Sequence, residues 1–459
     1  MMVKRVLIGS FVMGIMVAFL VQSAAGANPK WKEEQKAWFE QLGLKSGDII
    51  KPADWKKVDG LLPPEMLEWL KRGDLPQLRI GEFMYDVEAD DEWVNACKKN
   101  AGKFRLNEKE VLVEAATGKY PLWVYGTPFP EVDMMCDPDW KKNLASDPHG
   151  GAKYNYNRFN HAMRGSILHA PFSLEWIGPG GFERIVYCYW TQYCYWGRSD
   201  GQQSNPMKYK YLQLIGVQKP YDLSGINQLT VRHIDGRDDD FYVYIPAIRR
   251  IKKMSGANRS DPYVGSDATQ DDAGGFGGLE NSMIWRFLET KIGLLGIVER
   301  DAQGTNKMKG LPNGNWRVAA DPTDVTAGWE VEGWKGASWI PVNLVWIPRP
   351  YVVIEATPKD PYYNSGKTIY WTDPGTGTTS YKIYRNKAGE YWKTLFILQR
   401  CLEWMGKKGY HAGGTCGYLI RDEKMNHSTL ARITEYVELE NPNITPANFT
   451  IERLRTLGK

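Results

Sequence analysis

The chain has 459 residues and a formal net charge of +4, from 58 lysines and arginines against 54 aspartates and glutamates. A charge so close to balance excludes the strong electrostatic attraction on which nucleic-acid-binding proteins depend. At about 150 residues per domain the length suggests two or three units, although large β structures often form a single domain.

The N-terminus has the pattern of a secretory signal peptide. Lys4 and Arg5 precede an apolar run from 6 to 21, and small residues ending at Ala27 follow it. The run is shorter than the roughly 20 residues of a membrane-spanning helix, so an uncleaved anchor is the weaker alternative. We predict cleavage after Ala27, which divides the chain into a signal peptide (1–27), an N-terminal helical segment (28–77) and one large β-rich domain (78–459).

Two helices are predicted near the start of the mature chain. The first, Trp31–Leu42, has both of its tryptophans on the face that carries Leu42, and it ends before Gly43. The second, Pro63–Arg72, has a proline in its first turn, where proline is tolerated, and ends before Gly73. Both are short, so we interpret them as accessories to the structure that follows.

Beyond about Leu78 the apolar period changes to two, and β-branched and aromatic residues gather in runs typical of strands and hairpins. The clearest hairpin joins Leu229–Ile234 to Phe241–Ile245 through residues 235–239. Both faces of the second strand are apolar or amphipathic, so it should be covered on both sides. A loop rich in Gly and Asp runs from 265 to 278. Further strands are predicted at Arg184–Trp196, Tyr209–Val217, Asn343–Ile347, Tyr351–Ala356, Lys367–Thr372 and Ser380–Arg385.

The six cysteines all follow the predicted cleavage site, and an oxidising compartment favours disulfides between them. Fifteen full pairings of six cysteines are open. Proximity favours Cys188 with Cys194 and Cys401 with Cys416, but two cysteines six apart on one straight strand would be roughly 20 Å apart, so the first pair needs a turn. Thioredoxin-like, haem and zinc motifs are missing, and we predict no cofactor and no metal site.

A basic run at 249–253 precedes an acidic loop that contains Asp261, Asp267, Asp271 and Asp272. Three interpretations are open. The basic run suits an anionic headgroup or a membrane surface, and the acidic loop suits calcium only weakly, because it lacks the spacing of a calcium-binding loop. In the third, which we favour, the run and the loop pair with each other and fix the end of the strand.

Signals for catalysis are few. The sequence has no H-E-x-x-H and no phosphate-binding loop, so we predict that the protein is not an enzyme. Carboxylates are numerous enough to hide a glycosidase pair. The 19 tryptophans and 25 tyrosines suit surfaces that are apolar yet partly wet, as in clefts for sugars and grooves for lipids.

Several segments, in order and spacing, resemble the exported family called domain of unknown function 1329 (DUF1329), and the likeness covers nearly the whole mature chain. That family is similar to outer-membrane lipoprotein-sorting proteins of the LolA and LolB type. The tyrosine- and cysteine-rich segment Tyr187–Trp196 departs from the family's usual pattern. The segments that carry the resemblance are 47–50, 61–64, 71–73, 125–130, 239–246, 249–251, 265–278, 349–356 and Tyr370.

The resemblance implies a mainly β (α+β) fold, in which a large curved antiparallel sheet forms an incomplete β-barrel, a half-barrel with accessory helices over an apolar cavity. It also implies a periplasmic location in a Gram-negative envelope and, more loosely, work with an export pump of the resistance-nodulation-division type.

We therefore predict a periplasmic binding or carrier protein for lipid-like or other hydrophobic molecules, in peripheral contact with membranes. A secreted carbohydrate-binding protein or glycosidase is the alternative. A carrier must also release its cargo, so we place its moving part at the N-terminal helices or at the loop 265–278. The predicted ligand contacts are Phe241, Val243, Ile245, Arg249, Arg250, Trp285 and Val353.

Overall fold

The structure is a computed structural model, and it describes residues 31–84, 91–162, 167–302, 308–319, 324–403 and 411–458. The predicted signal peptide and its cleavage site lie outside these residues. Among the helices of the described part, none is long and apolar enough to cross a membrane.

The helices of the described residues are short, and strands of up to sixteen residues make up most of the fold. The helices are α1 (Trp31–Leu42), α2 (Pro64–Lys71), α3 (Asp91–Lys99), α4 (Trp140–Ser146), α5 (Gly150–Ala162), α6 (Glu299–Ala302) and α7 (Ile451–Leu457). The strands are β1 (Ile49–Ile50), β2 (Leu78–Arg79), β3 (Phe104–Leu106), β4 (Leu112–Glu114), β5 (Ile167–Gly178), β6 (Gly181–Cys194), β7 (Tyr209–Lys219), β8 (Asn227–His233), β9 (Asp240–Ile245), β10 (Arg250–Met254), β11 (Met283–Val298), β12 (Lys309–Gly310), β13 (Trp316–Ala319), β14 (Leu344–Pro358), β15 (Thr368–Thr372), β16 (Thr379–Arg385), β17 (Tyr391–Glu403), β18 (His411–Asp422), β19 (His427–Ile433) and β20 (Tyr436–Leu439).

One sheet dominates the fold. Its sixteen strands in the described residues include the path β10-β9-β8-β7-β6-β5-β19-β18-β17-β11-β14-β15-β16. Strand β16 also pairs with β17, so the sheet closes on itself at one end into a ring of five strands. All its pairings are antiparallel except the single parallel bridge between Ile297 of β11 and Gln399 of β17. The prediction of a mainly β fold with a curved, partly closed antiparallel sheet is confirmed.

The two predicted helices are confirmed, the first with the predicted bounds. The interval from 91 to 162 differs, because it holds three helices where we expected alternating strands. Helix α5 explains the misreading. Ala152, Tyr154 and Tyr156 alternate as in a strand, yet the neighbouring Asn155 and Asn157 are also buried. A helix that is buried on all sides loses the 3.6-residue apolar period from which a helix is recognised.

The predicted strands Asn343–Ile347 and Tyr351–Ala356 are one strand, β14. Pro348 and Pro350 suggested a break, since proline cannot donate to a ladder. Strand β14 tolerates them because β15 pairs only with residues 352–356, so the prolines lie where β11 is the one ladder partner among the described strands.

Cys188 and Cys194 both lie on β6, with no turn between them. Six residues of strand separate their sulfurs by roughly 20 Å. The favoured pairing of these two cysteines is therefore wrong. The side chain of Cys401 lies outside the described residues, and the buried Cys416 thiol donates to the carbonyl of Leu398 at 3.1 Å.

Candidate ligand-binding site

The inside of the five-strand ring is lined by aromatic side chains, one or more from each of four strands. Ring centroids lie 5.7 Å apart for Tyr351 and Trp371, 5.4 Å for Tyr381 and Phe396, and 5.6 Å for Trp346 and Phe396. Such offset and edge contacts are the favourable geometries of aromatic pairs. They form the centre of a large apolar cluster.

The polar tips of this aromatic lining have partners. Tyr351 donates its hydroxyl to Ser380 Oγ at 2.9 Å, and Tyr381 donates to the carbonyl of Leu294. Burial raises the pKa of both phenols, that of Tyr351 well above its ordinary value, so both stay neutral. Strand β11 needs a glycine at position 296, because a Cβ there would lie 2.5 Å from the aromatic ring of Phe396. The aromatic side chains of the lining are therefore all uncharged.

Residues 44–80, which we call the N-terminal cover, close one mouth of the ring with an apolar surface. Trp69 is fully buried and meets Trp339 edge-on, with ring centroids 4.9 Å apart. The backbone joins at two points, where Leu294 donates to the carbonyl of Leu61 and Gly81, just beyond the cover, donates to that of Trp346. The buried apolar side chains of the cover are Leu44, Ile50, Val58, Leu61, Leu62, Met66, Leu67, Trp69, Leu70, Leu75, Leu78 and Ile80.

Most of the charged contacts of the cover lie at its rim, but Arg385 of β16 also donates to the buried carboxylate of Glu65. Arg72 pairs with Glu423 at 2.6 Å, with 44% and 18% of the two side chains exposed. Arg79 pairs with Glu299, and these side chains are 38% and 45% exposed. Pairs so exposed to water contribute about 0–1 kcal/mol each. The cover is held mainly by apolar packing.

The concave face of the rest of the sheet is covered by residues 256–282, which we call the inner segment. The segment contains the predicted Gly- and Asp-rich loop and crosses the sheet from β8 to β16. Gln270 donates to Thr230 of β8, and the Gly274 N–H donates to the hydroxyl of Tyr418 on β18 at 3.2 Å. At the far end, a Cβ on Gly275 would lie 2.6 Å from Thr379 of β16. The segment thus lies against the sheet along its length.

A chain of buried charges fixes the inner segment to the sheet. Arg232 of β8 forms a bidentate pair with Asp239 at 2.9 and 2.7 Å. Arg259 donates to Asp271 at 2.7 Å and lies 3.4 Å from Asp239. Burial alone would raise the pKa of Asp239, but the two guanidinium groups outweigh it and lower that pKa. Asp239 is therefore ionised and shared by two buried cations.

A second buried group holds the segment at β16. The Lys382 ammonium lies 3.1 Å from Asp272, and Tyr384 donates to the same carboxylate. Burial opposes ionisation of Asp272, yet the charges of Lys382 and then Lys393 lower its pKa. Backbone carbonyls complete the anchoring, since Arg158 of α5 donates to Gly274 at 2.7 Å. Displacing the inner segment would leave several buried charges without partners.

The acidic loop and the basic run do not pair with each other, so the interpretation we favoured for them is wrong. Lys253 pairs with Asp240 on the neighbouring strand at 2.8 Å. Asp267 accepts from His427 at 2.6 Å, while Asp271 and Asp272 serve the two groups described above. The acidic side chains point to separate partners rather than to one point, which is not the arrangement of a calcium site.

The structure places the seven predicted contact residues in four regions. Val353 belongs to the apolar cluster of the ring and cover, whereas Trp285 belongs to a second cluster on the other face of β14 and donates to the carbonyl of Glu280. Phe241, Val243 and Ile245 lie on β9, the first two buried and the third half-buried. Arg249, in left-handed conformation with φ 49°, and Arg250 are exposed at the β10 edge. They do not form one site.

Sequence reasoning missed Trp346, Trp371, Tyr381 and Phe396 as a group. All four lie in or beside apolar runs with strand alternation, and that alternation was the available signal for their shared side of the sheet. The alternation does not show which strands are neighbours in the sheet.

A family model described as "Protein of unknown function (DUF1329)" matches residues 49–455. A search among curated proteins finds no match. Solved structures similar to this chain include a protein described as an outer membrane lipoprotein-sorting protein domain from Vibrio parahaemolyticus, at 14% identity and a TM-score of 0.45, covering 67% of this chain and 100% of that one.

Two further similar structures come from other bacteria. A DUF1329 family protein from Desulfovibrio piger is 14% identical, with a TM-score of 0.44, and the match covers 67% of this chain and 100% of that one. A LolA superfamily protein from Nitrosomonas europaea is 10% identical, with a TM-score of 0.37, and the match covers 66% and 98% of the two chains.

Proposed function

The chain belongs to the DUF1329 family, and we propose that it is an exported, periplasmic, non-catalytic protein that binds and carries a lipid-like molecule between the five-strand ring and the N-terminal cover. Export is supported by the signal-peptide pattern before Ala27. The observation that carries the proposal is the aromatic lining of the ring, closed by a cover whose buried contacts are mainly apolar.

Comparison of the two coverings supports entry of the ligand at the ring. At the ring an acyl chain would replace apolar contacts of the cover by apolar contacts of its own. At the concave face it would displace the inner segment and separate Asp239 from Arg259 and Lys382 from Asp272, and removing one partner of a buried pair costs about 3–5 kcal/mol. The N-terminal cover is therefore the moving part, and the loop 265–278 stays in place.

The magnitude of the gain suits a carrier. Each methylene removed from water contributes about 0.8 kcal/mol, so a long acyl chain gains on the order of 10 kcal/mol before the costs of ordering and of moving the cover. Exposed pairs at the rim, such as Arg72 with Glu423, add little resistance to opening. Binding is strong enough to hold a lipid and the closure weak enough to release it.

The partners in this proposal are a lipid or other hydrophobic molecule, a membrane surface met transiently, and an envelope export system. The exposed basic strand β10, with Arg250, Lys252 and Lys253, suits brief contact with anionic headgroups.

The test begins with the mature protein purified from its own host, examined by native mass spectrometry and by lipid extraction. We expect a co-purifying lipid, and in hydrogen exchange its addition to stripped protein should protect residues 61–80 and leave 256–282 unchanged. An empty protein that binds no lipid, or protection confined to 256–282, would overturn the proposal.

A pair of matched variants locates the site. Phe396→Ala removes a ring side chain from the proposed site, and an apolar cavity binds apolar ligands, so we expect tighter binding of a fatty-acid probe. Phe449→Ala is the control, because Phe449 is also buried but packs in a separate cluster with Leu454 of α7. Equal probe affinity in both variants would place the site elsewhere.

A carbohydrate-binding function has one specific observation in its favour. Phe182 and Trp329 stack with ring centroids 4.7 Å apart, and they are 42% and 36% exposed. Exposed aromatic faces of this kind suit sugar rings. Glycan-array binding that Trp329→Ala abolishes, in a protein that carries no lipid, would favour this second function.

A further inference from the structure

Two cysteines that are distant in sequence meet beneath helix α3. Cys97 lies on α3 and is fully buried, while Cys136 lies in the turn after Val132 and is half-buried. Their sulfur atoms and a carboxylate oxygen of Asp133 all lie within 4.8 Å of one another. Both cysteines are thiols in the structure.

The backbone around Cys97 holds the sulfur in place. Thr127 donates its N–H to Cys97 Sγ at 3.2 Å, and Asn100 ties the end of α3 to the carbonyls of Tyr125 and Thr127. Gly126, at φ 80°, passes so close that a Cβ there would lie 2.7 Å from the Cys97 nitrogen.

The turn that carries Cys136 is equally fixed. Asp133 Oδ1 accepts the N–H of Met135 at 2.8 Å, and the Asp133 carbonyl accepts the N–H of Cys136 at 3.1 Å. The two sulfurs therefore lie within 4.8 Å of each other on two fixed pieces of backbone, and a disulfide needs them to approach to about 2 Å.

A metal ion fits this cluster less well than a covalent bond between the sulfurs. Structural zinc sites are closed by four protein ligands, and the group found among the described residues has three. A three-ligand site keeps an open position for water, but Cys97 is 0% and Asp133 3% exposed. Disulfides are the usual state of such pairs in exported proteins.

We infer that Cys97 and Cys136 form a disulfide in the exported protein, an inference that rests on the proposed export and not on the proposed ligand. Each thiol loses one hydrogen as the sulfur–sulfur bond forms. The two electrons and two protons pass to the disulfide of an exported thiol–disulfide oxidoreductase, which becomes a dithiol. The bond closes residues 97–136 into a covalent loop. It also links α3 and its small apolar cluster to the turn after Val132.

The surroundings of Cys136 suit a structural disulfide. The neighbouring Cys97 thiol, burial and the Asp133 carboxylate all raise the pKa of Cys136. A sulfur whose thiol has a raised pKa is a poor leaving group, so an external thiol displaces it slowly once the pair has been joined.

Peptide mapping of the mature protein from an exporting host tests the inference. Free thiols are alkylated without reduction before digestion. We expect a peptide containing Cys97 joined to one containing Cys136, two hydrogen atoms lighter than their sum. Alkylation of both cysteines, or a bound metal whose chelation frees both thiols, would overturn the disulfide.

Variants and a second preparation separate the disulfide from other effects. Adding dithiothreitol should lower the melting temperature of the wild type and of Cys188→Ala, which alters a buried cysteine outside this cluster, but should leave Cys97→Ala unchanged. Glutathione disulfide added to reduced, purified protein tests the geometry without export. Failure to join the pair there refutes the inference even if the protein carries lipid.

Discussion

Replacing Asp239 by Asn removes the carboxylate that two buried guanidinium groups share. The side chains of Asp239, Arg232 and Arg259 are 1%, 0% and 4% exposed. Breaking a buried ion pair by removing one partner costs about 3–5 kcal/mol, because the other charge stays buried and uncompensated. Asn keeps one acceptor, and Arg259 keeps Asp271, so we expect a loss near the lower end, about 3 kcal/mol.

The adjacent residue supplies a matched control. Asp240 has the same side chain, but it is 37% exposed and pairs with Lys253, which is 60% exposed. Its other contact, a hydrogen bond with the ring of His233 at 3.0 Å, is one that the amide oxygen of Asn can keep. Exposed pairs are screened by water and salt, so Asp240→Asn should cost far less than Asp239→Asn. Urea unfolding followed by tryptophan fluorescence measures both free energies of unfolding. Equal losses in the two variants would refute the role assigned to the buried network.

The difference in stability between the wild type and Asp239→Asn should depend on pH in a definite direction. The folded pKa of Asp239 lies below its unfolded value of about 3.9. Its contribution is therefore fully present above that value and is lost as the pH falls through the folded pKa. The gap in stability between the wild type and Asp239→Asn should narrow in acid below about pH 4. A gap that widens in acid would contradict the assignment of an ionised Asp239.

Two further predictions concern the inner segment. The hydrogen bond to Asp267, opposed by burial and aided by nearby negative charge, raises the pKa of His427, so its stabilisation is present below about pH 6.5 and is lost as the pH rises through the folded pKa. His427→Gln should therefore destabilise more at about pH 5.5 than at about pH 8.5 in thermal unfolding, and the reverse order would contradict this. Gly275→Ala should cost more than Gly274→Ala, because both positions have positive φ but only the first would clash, with Thr379 at 2.6 Å. The strain common to both is about 1–2 kcal/mol and the overpacking adds about 1–3 kcal/mol; equal urea midpoints for the two variants would refute the close packing of the segment on β16.

The inner segment fills the concave face that an incomplete barrel would otherwise leave open. A curved sheet with an open concave face would offer a hollow there, but that face is covered by the protein's own chain through Arg232, Lys382 and their partners. Buried charges of this kind are costly to expose and hold one arrangement in place. The surface between the ring and the N-terminal cover, by contrast, is closed mainly by apolar contacts.

Local sequence determined much of the secondary structure. The apolar spacing and the terminal glycine of Trp31–Leu42 gave a helix with the observed bounds, and alternation gave the hairpin of β8 and β9. These signals are reliable because they depend on neighbours a few residues apart, whose spacing follows from the 3.6- and 2-residue periods of helix and strand. The order of the segments was also enough to identify the family.

Tertiary structure alone decided which distant residues meet. Tyr351, Tyr381 and Phe396 share one interior only because β16 pairs with β17 and β11 bridges to β17 in parallel, and no local period encodes a pairing between strands far apart in sequence. For the same reason proximity along the chain chose the wrong partners for the acidic loop, and it missed Cys97 with Cys136. A side chain's partner depends on how the whole sheet curves, whereas its face depends only on the residues beside it.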